Sequence, residues 1–140
     1  MGNIRRVGRR ENPVTDTLIA LDVFARLQQA TASQPGQLVE LCREYLSEAA
    51  QTLAQLRKAS TLQQADELRN RAHYLRGSSM LVGATRLTQC CANLEVMGRN
   101  GDFRETEQVL DETSAALDAV EQEFVKMLGP EVLPAKRSAV

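Results

Sequence analysis

Aromatic residues are scarce in this 140-residue chain, and tryptophan is absent. Aromatics make up 4% of the sequence, although 43% of it is hydrophobic and 25% is charged. A core built mainly from Leu, Ala and Val suits close helix packing, and the length is typical of one soluble domain. No run approaches the roughly 20 apolar residues that span a membrane, and no apolar stretch follows the N-terminal arginines. We therefore expect neither a transmembrane segment nor a secretory signal.

Signatures of metal and nucleotide binding are also missing. The three cysteines, Cys42, Cys90 and Cys91, form no CxxC pair, and the chain has a single histidine. These residues make a poor metal site, so we expect no metal and interpret the thiols as small buried hydrophobes in a reducing cytosol. The sequence has no Gly-rich phosphate loop and no Walker lysine, so we expect no bound nucleotide or other cofactor.

Basic side chains are concentrated at the N-terminus. Residues 1–12 hold four arginines and one glutamate, whereas the net charge of the whole chain is −1. The polar, aperiodic composition of residues 1–12 predicts a disordered basic arm. Because residues 13–128 are acidic, a nucleic-acid-binding function that uses this arm is disfavoured.

The hydrophobic pattern predicts five helices and no β-strand. Apolar residues recur at three- and four-residue spacing between short breaks rich in Gly, Pro, Ser and Asn. The predicted helices span about residues 14–31, 37–59, 62–82, 84–99 and 103–128. Short connections between long helices predict antiparallel neighbours, so we expect an all-α, up-and-down bundle over residues 13–128. Leu18 and Leu21 of the first helix are expected to face its core.

Specific residues are expected to begin and end these helices. Ser60-Thr61 is a plausible cap for the third helix, and Asp102 for the fifth. Gly83 is placed to end the third helix in a left-handed conformation. Gly129-Pro130 stops the fifth helix, so we expect residues 129–140 to form a flexible tail.

The histidine, His73, lies off the core-facing stripe of the third helix. At about 100° per residue, the core-facing residues are Leu68, Ala72, Leu75, Ser79 and Val82. The residues that share the face of His73 are two cations, a glycine and a thioether: Arg69, Arg76, Gly77 and Met80. A lone histidine is most often a core residue whose ring nitrogens are hydrogen-bonded. The neighbours of His73 instead predict a partly exposed histidine at the edge of the bundle.

Each neighbour has a use in phosphoryl transfer. A neutral imidazole is nucleophilic at neutral pH. Arg76, one turn away, is placed to neutralise an incoming phosphoryl oxygen. Gly77 costs the helix roughly 1 kcal/mol relative to Ala, and it leaves room for a second protein to approach. Without a nucleotide pocket, the phosphoryl group has to come from, and go to, another protein.

The segment from Ala72 to Asp102 resembles the histidine-containing phosphotransfer (HPt) domain of two-component phosphorelays. That family's pattern is close to A-H-x-L-[KR]-G-S-S, followed by G-A, L, C, L-[EQ] and G-R-x-G-D. The chain matches it at residues spread over about 30 positions. The matching residues are His73, Leu75, Arg76, Gly77, Ser78, Ser79, Gly83, Ala84, Leu87, Cys91, Leu94, Glu95 and Asp102.

The resemblance implies a four-helix bundle with an additional, covering N-terminal helix. It implies that His73 is the phosphoacceptor on Nε2 and that Arg76, in place of the commoner Lys, contacts the phosphoryl group. Glu95 would accept a hydrogen bond from Nδ1–H and hold the reactive tautomer. Gly77 would provide clearance for docking. We place Met80 and Arg69 beside it on the docking face, and assign Ser78 and Ser79 to helix packing.

The predicted function is therefore a phosphocarrier rather than an enzyme. The chain would relay a phosphoryl group between receiver-domain aspartates, or from a sensor (hybrid) histidine kinase, with Mg²⁺ supplied by the receivers. We expect a cytoplasmic monomer that binds neither nucleic acid nor membrane. The alternative is a non-catalytic helical adaptor that docks receiver or kinase domains without chemistry.

Overall fold

The computed structural model describes residues 17–134, so the predicted basic arm lies outside the described residues. Five helices follow in order: α1 Leu21–Ala30, α2 Gln37–Thr61, α3 Ala65–Leu81, α4 Thr85–Asn100 and α5 Thr106–Leu128. A short 3₁₀ helix, Pro130–Val132, comes after α5. The described part of the chain contains no β-strand, which confirms the all-α prediction. None of its helices is both long and apolar enough to cross a membrane.

Helices α2 to α5 form the bundle. Both α2 and α4 pack against α3 and α5, so α3 and α5 stand at opposite corners. The connections are short, which makes successive helices antiparallel. The predicted left-handed glycine ends α3, since Gly83 has φ +79°. This arrangement confirms the up-and-down four-helix bundle with an additional N-terminal helix.

Three of the five aromatic residues meet at one place in the core. Phe24 of α1 stacks on Phe124 of α5, with ring centroids 5.6 Å apart, and Tyr45 of α2 meets Phe124 edge-on. The buried Tyr45 hydroxyl lies 2.7 Å from Ser79 Oγ, so each polar group satisfies the other. Ser79 is fully buried, in agreement with its predicted packing role. These contacts fix α1 to the bundle and join α2 to α3 and α5 within it.

The predicted start of the first helix was wrong where the structure describes it. Residues 17–20 are not helical, and α1 begins at Leu21. Ala20 N–H donates to Gly83 O, and Thr85 N–H donates to Leu18 O, so this segment pairs with the α3–α4 connection. As a result Leu21 is 70% exposed, not in the core, whereas Leu18 is partly buried.

Two predicted helix caps were also wrong. Helix α2 continues through Ser60-Thr61, and Ser60 Oγ donates to Glu107 instead of capping α3. Helix α3 begins at Ala65. Asp102 accepts hydrogen bonds from the backbone and side chain of Arg104, and α5 begins later, at Thr106. In both places the side-chain oxygen bonds to another side chain or to a nearby turn, Glu107 for Ser60 and Arg104 for Asp102. It is therefore not used to cap the start of a helix.

The first part of the predicted flexible tail is ordered against the bundle. Val132 is fully buried, and the Arg43 guanidinium donates twice to the Glu131 carbonyl oxygen. The 3₁₀ helix therefore packs on α2 and α5. The bundle extends beyond the predicted boundary at residue 128, and residues 135–140 lie outside the described part.

Candidate functional site

His73 lies in the middle of α3, on the face opposite the core stripe. Leu68, Ala72 and Leu75 of that stripe are buried. The His73 side chain is 65% exposed, as the helical spacing predicted. An imidazole in this position is accessible to a partner protein without any opening of the bundle.

Glu95 of α4 is the residue that contacts the imidazole most closely. Its Oε2 lies 2.9 Å from His73 Nδ1. The residue as a whole is 8% exposed, so its carboxylate sits at the edge of the α3–α4 interface. The structure thus brings together two of the site residues predicted from the sequence, although 22 positions separate them.

This contact assigns the tautomer of the imidazole. An ionised carboxylate has acceptor sites only, so the hydrogen between the two atoms belongs to His73 Nδ1. In the neutral ring the other nitrogen, Nε2, then carries the lone pair. The nitrogen available as a nucleophile is the one farther from Glu95.

Arg76 joins the same carboxylate from the other side. Its Nε lies 3.0 Å from Glu95 Oε1, but the N–H is not aligned with the oxygen, so the contact is an ion pair and not a hydrogen bond. Its Nη2 lies 3.4 Å from His73 Nδ1. Because Nδ1 already donates to Glu95, this second approach places the cation beside the ring without a strong bond between them. The other guanidinium N–H groups remain for an anion.

Arg99 is a cation of the site that the sequence analysis missed. Its Nη2 lies 3.7 Å from Glu95 Oε2, and its side chain is 56% exposed. The signal was present, since Glu95 and Arg99 have the i, i+4 spacing of a helical ion pair. One carboxylate is therefore surrounded by an imidazole and two guanidinium groups.

Gly77 and Gly98 lie in helices but face different surroundings. A Cβ at Gly77 would meet no atom of residues 17–134 within 4 Å, so no packing in that part of the chain requires this glycine. A Cβ at Gly98 would lie 2.6 Å from Arg69 N and 2.8 Å from Ala65 O. Gly98 thus lets α4 approach the backbone of α3 closely, a role that sequence reasoning missed. This close approach lies about one turn from the contact between Glu95 and His73 on both helices.

The other predicted docking residues differ in exposure. Met80 is 56% exposed, and its neighbour Leu81 is 73% exposed. Arg69 is half-buried where its backbone packs on Gly98. Tyr74, also exposed, donates a hydrogen bond from its hydroxyl to Glu48 Oε1 at 2.9 Å. An apolar surface therefore continues from the histidine towards the C-terminus of α3.

The thiols lie in the core, and Cys91 is near enough to the site for the charges of Arg76 and Glu95 to act on it. Cys42, Cys90 and Cys91 are buried and unpaired with one another. Burial raises the pKa of Cys42 to about 11 and that of Cys91 to about 12. Within residues 17–134 no group of His, Cys, Asp and Glu side chains is arranged to hold a metal ion.

The fold is similar to that of the histidine-containing phosphotransfer protein B (HptB) from Pseudomonas aeruginosa PAO1, with a TM-score of 0.73 and 23% identity over 79% of this chain and 93% of that one. It is also similar to a putative histidine-containing phosphotransfer protein from rice, with a TM-score of 0.71 and 19% identity over 92% of each chain. Comparison with curated protein sequences gives no significant match.

The sequence itself matches a family description. The Hpt domain family matches residues 40–123, which is more than half of the chain and includes His73, Glu95 and both cations. The chain belongs to the Hpt domain family, whose members carry out histidine phosphotransfer in phosphorelays.

Proposed function

We propose that His73 carries the phosphoryl group, bound to Nε2, between receiver-domain aspartates or from a sensor histidine kinase. The observation that carries this proposal is the 2.9 Å contact between His73 Nδ1 and Glu95 Oε2 on an exposed imidazole. This contact keeps the hydrogen on Nδ1 and the lone pair on Nε2. It does so before any partner arrives, so no reorientation of the ring is needed.

In the transfer step the Nε2 lone pair attacks the phosphorus of a receiver's aspartyl phosphate. The N–P bond forms while the bond between phosphorus and the aspartate oxygen breaks, and the aspartate leaves as a carboxylate with the bonding electron pair. Nδ1 keeps its hydrogen, and the positive charge that the ring gains is stabilised by the Glu95 carboxylate. Transfer to a second receiver is the reverse of these changes.

Arg76 offsets the charge of the phosphoryl oxygens in this proposal. The ion pair of its Nε with Glu95 Oε1, at 3.0 Å, holds the guanidinium beside the ring. Glu95 is thus a positioning residue for both the nucleophile and the cation. Arg99 adds a second positive charge near the same carboxylate. Two cations offset the negative charge that Glu95 would otherwise place near a phosphohistidine.

Gly77 provides the clearance that the receiver needs. Because an added Cβ would meet nothing among the described residues, a larger side chain there would project into the space that a docked receiver occupies. Met80 and Arg69, on the same helix, flank this approach. We further propose that the protein acts as a cytoplasmic monomer and phosphocarrier, without a nucleotide, metal or nucleic acid of its own.

The test is labelling from a receiver domain phosphorylated with radioactive acetyl phosphate. The wild-type chain should take up an acid-labile label, as expected for a phosphoramidate, and His73→Gln should take up none. Circular dichroism should show that His73→Gln keeps its helices, since the side chain is exposed. Acid-stable label, or label on His73→Gln at the wild-type rate, would contradict the proposal. Receiver binding without any label on the wild-type chain would contradict it as well and favour the adaptor alternative.

A further inference from the structure

An open apolar groove lies beside the proposed docking face. It has a volume of about 380 Å³ and runs between α1, α2 and the end of α3. Its apolar lining is Leu27, Leu41, Tyr45, Leu81 and Val82. Leu81 also belongs to the exposed face of α3, eight residues after His73, or roughly 12 Å along the helix. A partner seated over His73 and Met80 therefore reaches this groove without a gap.

A row of carboxylates borders the groove on α2. Glu44 and Glu48 line it, and Glu40 lies one turn before them. We name Glu40, Glu44 and Glu48 the acidic rim. All three are exposed, and none has an ion-pair partner within residues 17–134. Like charges at i, i+4 destabilise a helix by roughly 0.2–0.5 kcal/mol per pair, so the row has an energetic cost within the chain.

The acidic rim is linked to the site of phosphorylation. Tyr74, the residue after His73, donates its hydroxyl hydrogen to Glu48 Oε1 at 2.9 Å. On the opposite side of His73, Arg76 and Arg99 present positive charge around Glu95. The face therefore has cations on its α4 side, carboxylates on its α2 side and apolar side chains between them.

This polarity restricts the partner and its orientation. The cations match the phosphoryl group and the acidic pocket of a receiver. The acidic rim, by the same complementarity, matches positive charge at a distance from that pocket, and it repels an acidic surface. A receiver rotated by 180° over His73 would place its acidic pocket against the acidic rim and its basic edge against Arg76 and Arg99.

We propose that the acidic rim selects receiver domains that carry Lys or Arg at the edge of their docking surface, and that it fixes their orientation over His73. This inference rests on the proposed function. It adds a specificity determinant, Glu44 with Glu48, that lies outside the residues placed at the transfer chemistry.

The experiment compares two charge reversals in the full chain. One is E44K/E48K. The control is D118K/E121K on α5, where the two acids border a groove of about 390 Å³ with Val125 and Leu133 at the opposite corner of the bundle. Both variants change the net charge equally. The probes are purified receiver domains from the same organism, phosphorylated with acetyl phosphate, with affinity and single-turnover transfer rate measured at low and high salt.

We expect E44K/E48K to weaken binding of the preferred receiver about tenfold at low salt and to reduce the salt dependence of binding, since rim charges act on association. Transfer at saturating receiver should stay within about twofold of wild type, because the chemistry at His73 is unchanged. D118K/E121K should bind like wild type. Receivers that lack a basic edge should bind E44K/E48K at least as well as they bind wild type.

Equal affinities for the two charge-reversed variants would overturn the proposal while leaving phosphorylation of His73 intact. Absence of label on the wild-type chain as well as on both variants would instead overturn the proposed function. A change in sedimenting mass on E44K/E48K would assign the acidic rim to contact with a second copy. If removal of residues 1–12 raised receiver affinity in wild type and not in E44K/E48K, the acidic rim would instead bind the arginines of the chain's own N-terminus.

Discussion

Glu95 and His73 belong to different helices, and Glu95 Oε2 lies 2.9 Å from His73 Nδ1. The second oxygen of the same carboxylate lies 3.0 Å from Arg76 Nε. One nearly buried side chain therefore fixes the orientation of the ring and of the cation beside it. The geometry of the site depends on how closely α4 packs on α3, and that closeness depends on Gly98.

The first prediction concerns the acceptor for Nδ1–H. Glu95→Ala should slow phosphorylation of His73 by about ten- to a hundredfold, the equivalent of a charge-assisted hydrogen bond of roughly 1.5–3 kcal/mol. Glu95→Gln keeps an acceptor oxygen and should lose less. Single-turnover transfer measures the rates, and ¹⁵N NMR of the imidazole reports the tautomer. A wild-type tautomer and rate in Glu95→Ala would remove the positioning role.

The second prediction separates the chemistry from docking. Arg76→Ala should slow transfer more than it weakens receiver binding, by roughly ten- to a hundredfold for a contact worth 1.5–3 kcal/mol. Gly77→Gln should weaken receiver binding itself, because its side chain would occupy the space in front of α3. Affinity and single-turnover rate for both variants test this. Normal binding by Gly77→Gln with abolished binding by Arg76→Ala would reverse the two roles.

The third prediction uses one substitution at two helical glycines. Gly77→Ala should raise the free energy of unfolding by about 0.5–1 kcal/mol, because Ala is the better helix former and the added Cβ meets nothing. Gly98→Ala should lower it by roughly 1–3 kcal/mol, because the Cβ would press on the α3 backbone at Arg69. Urea unfolding of both variants gives the two values. Changes of the same sign would contradict these assignments.

The sequence allowed prediction of those features that depend on local pattern. Periodicity and short breaks predicted five helices, and angular position on α3 predicted an exposed His73. The partnership of Glu95 with His73 came from the family resemblance, because spacing along the chain does not say which residues of α3 and α4 meet. Arg99 was within reach of the same reasoning through its i, i+4 relation to Glu95.

The remaining differences have non-local causes. Leu21 is exposed because the segment before it pairs with Gly83 and Thr85, which follow more than 60 positions later. Val132 is buried because Arg43, at a separation of 88 residues, holds the carbonyl oxygen beside it. The close approach at Gly98 depends on the α3 backbone opposite. None of these contacts leaves a periodic signal in the sequence.

The fourth prediction concerns strain in the α2–α3 connection. Gln63 has φ +54°, a left-handed conformation that disfavours side chains with a Cβ. Gln63→Gly should raise the free energy of unfolding by roughly 0.5–1 kcal/mol, since the relief exceeds the added entropy of the unfolded chain. Gln55→Gly, at an exposed position inside α2, should lower it by about 1 kcal/mol. If both variants were destabilised equally, Gln63 would carry no backbone strain.

The last prediction concerns stability at alkaline pH. Burial raises the pKa of Cys42 from 9.0 to about 11 and that of Cys91 to about 12. Above pH 9 the unfolded chain therefore releases thiol protons that the folded chain retains. Because the unfolded state then binds fewer protons, the free energy of unfolding falls as pH rises. These thiols should leave stability unchanged below about pH 8 and reduce it progressively from about pH 9 up to the folded pKa values.

Urea unfolding at neutral and alkaline pH measures this decline. The variant C42A/C91A should show a shallower decline than wild type, although its stability at neutral pH is lower because buried volume is lost. Burial also raises the pKa of the Tyr45 hydroxyl, and Cys91 and Cys42 raise it further, so the difference between the two chains reports these two thiols together with their effect on Tyr45. Parallel declines in the two chains would show that Cys42 and Cys91 do not couple folding to pH.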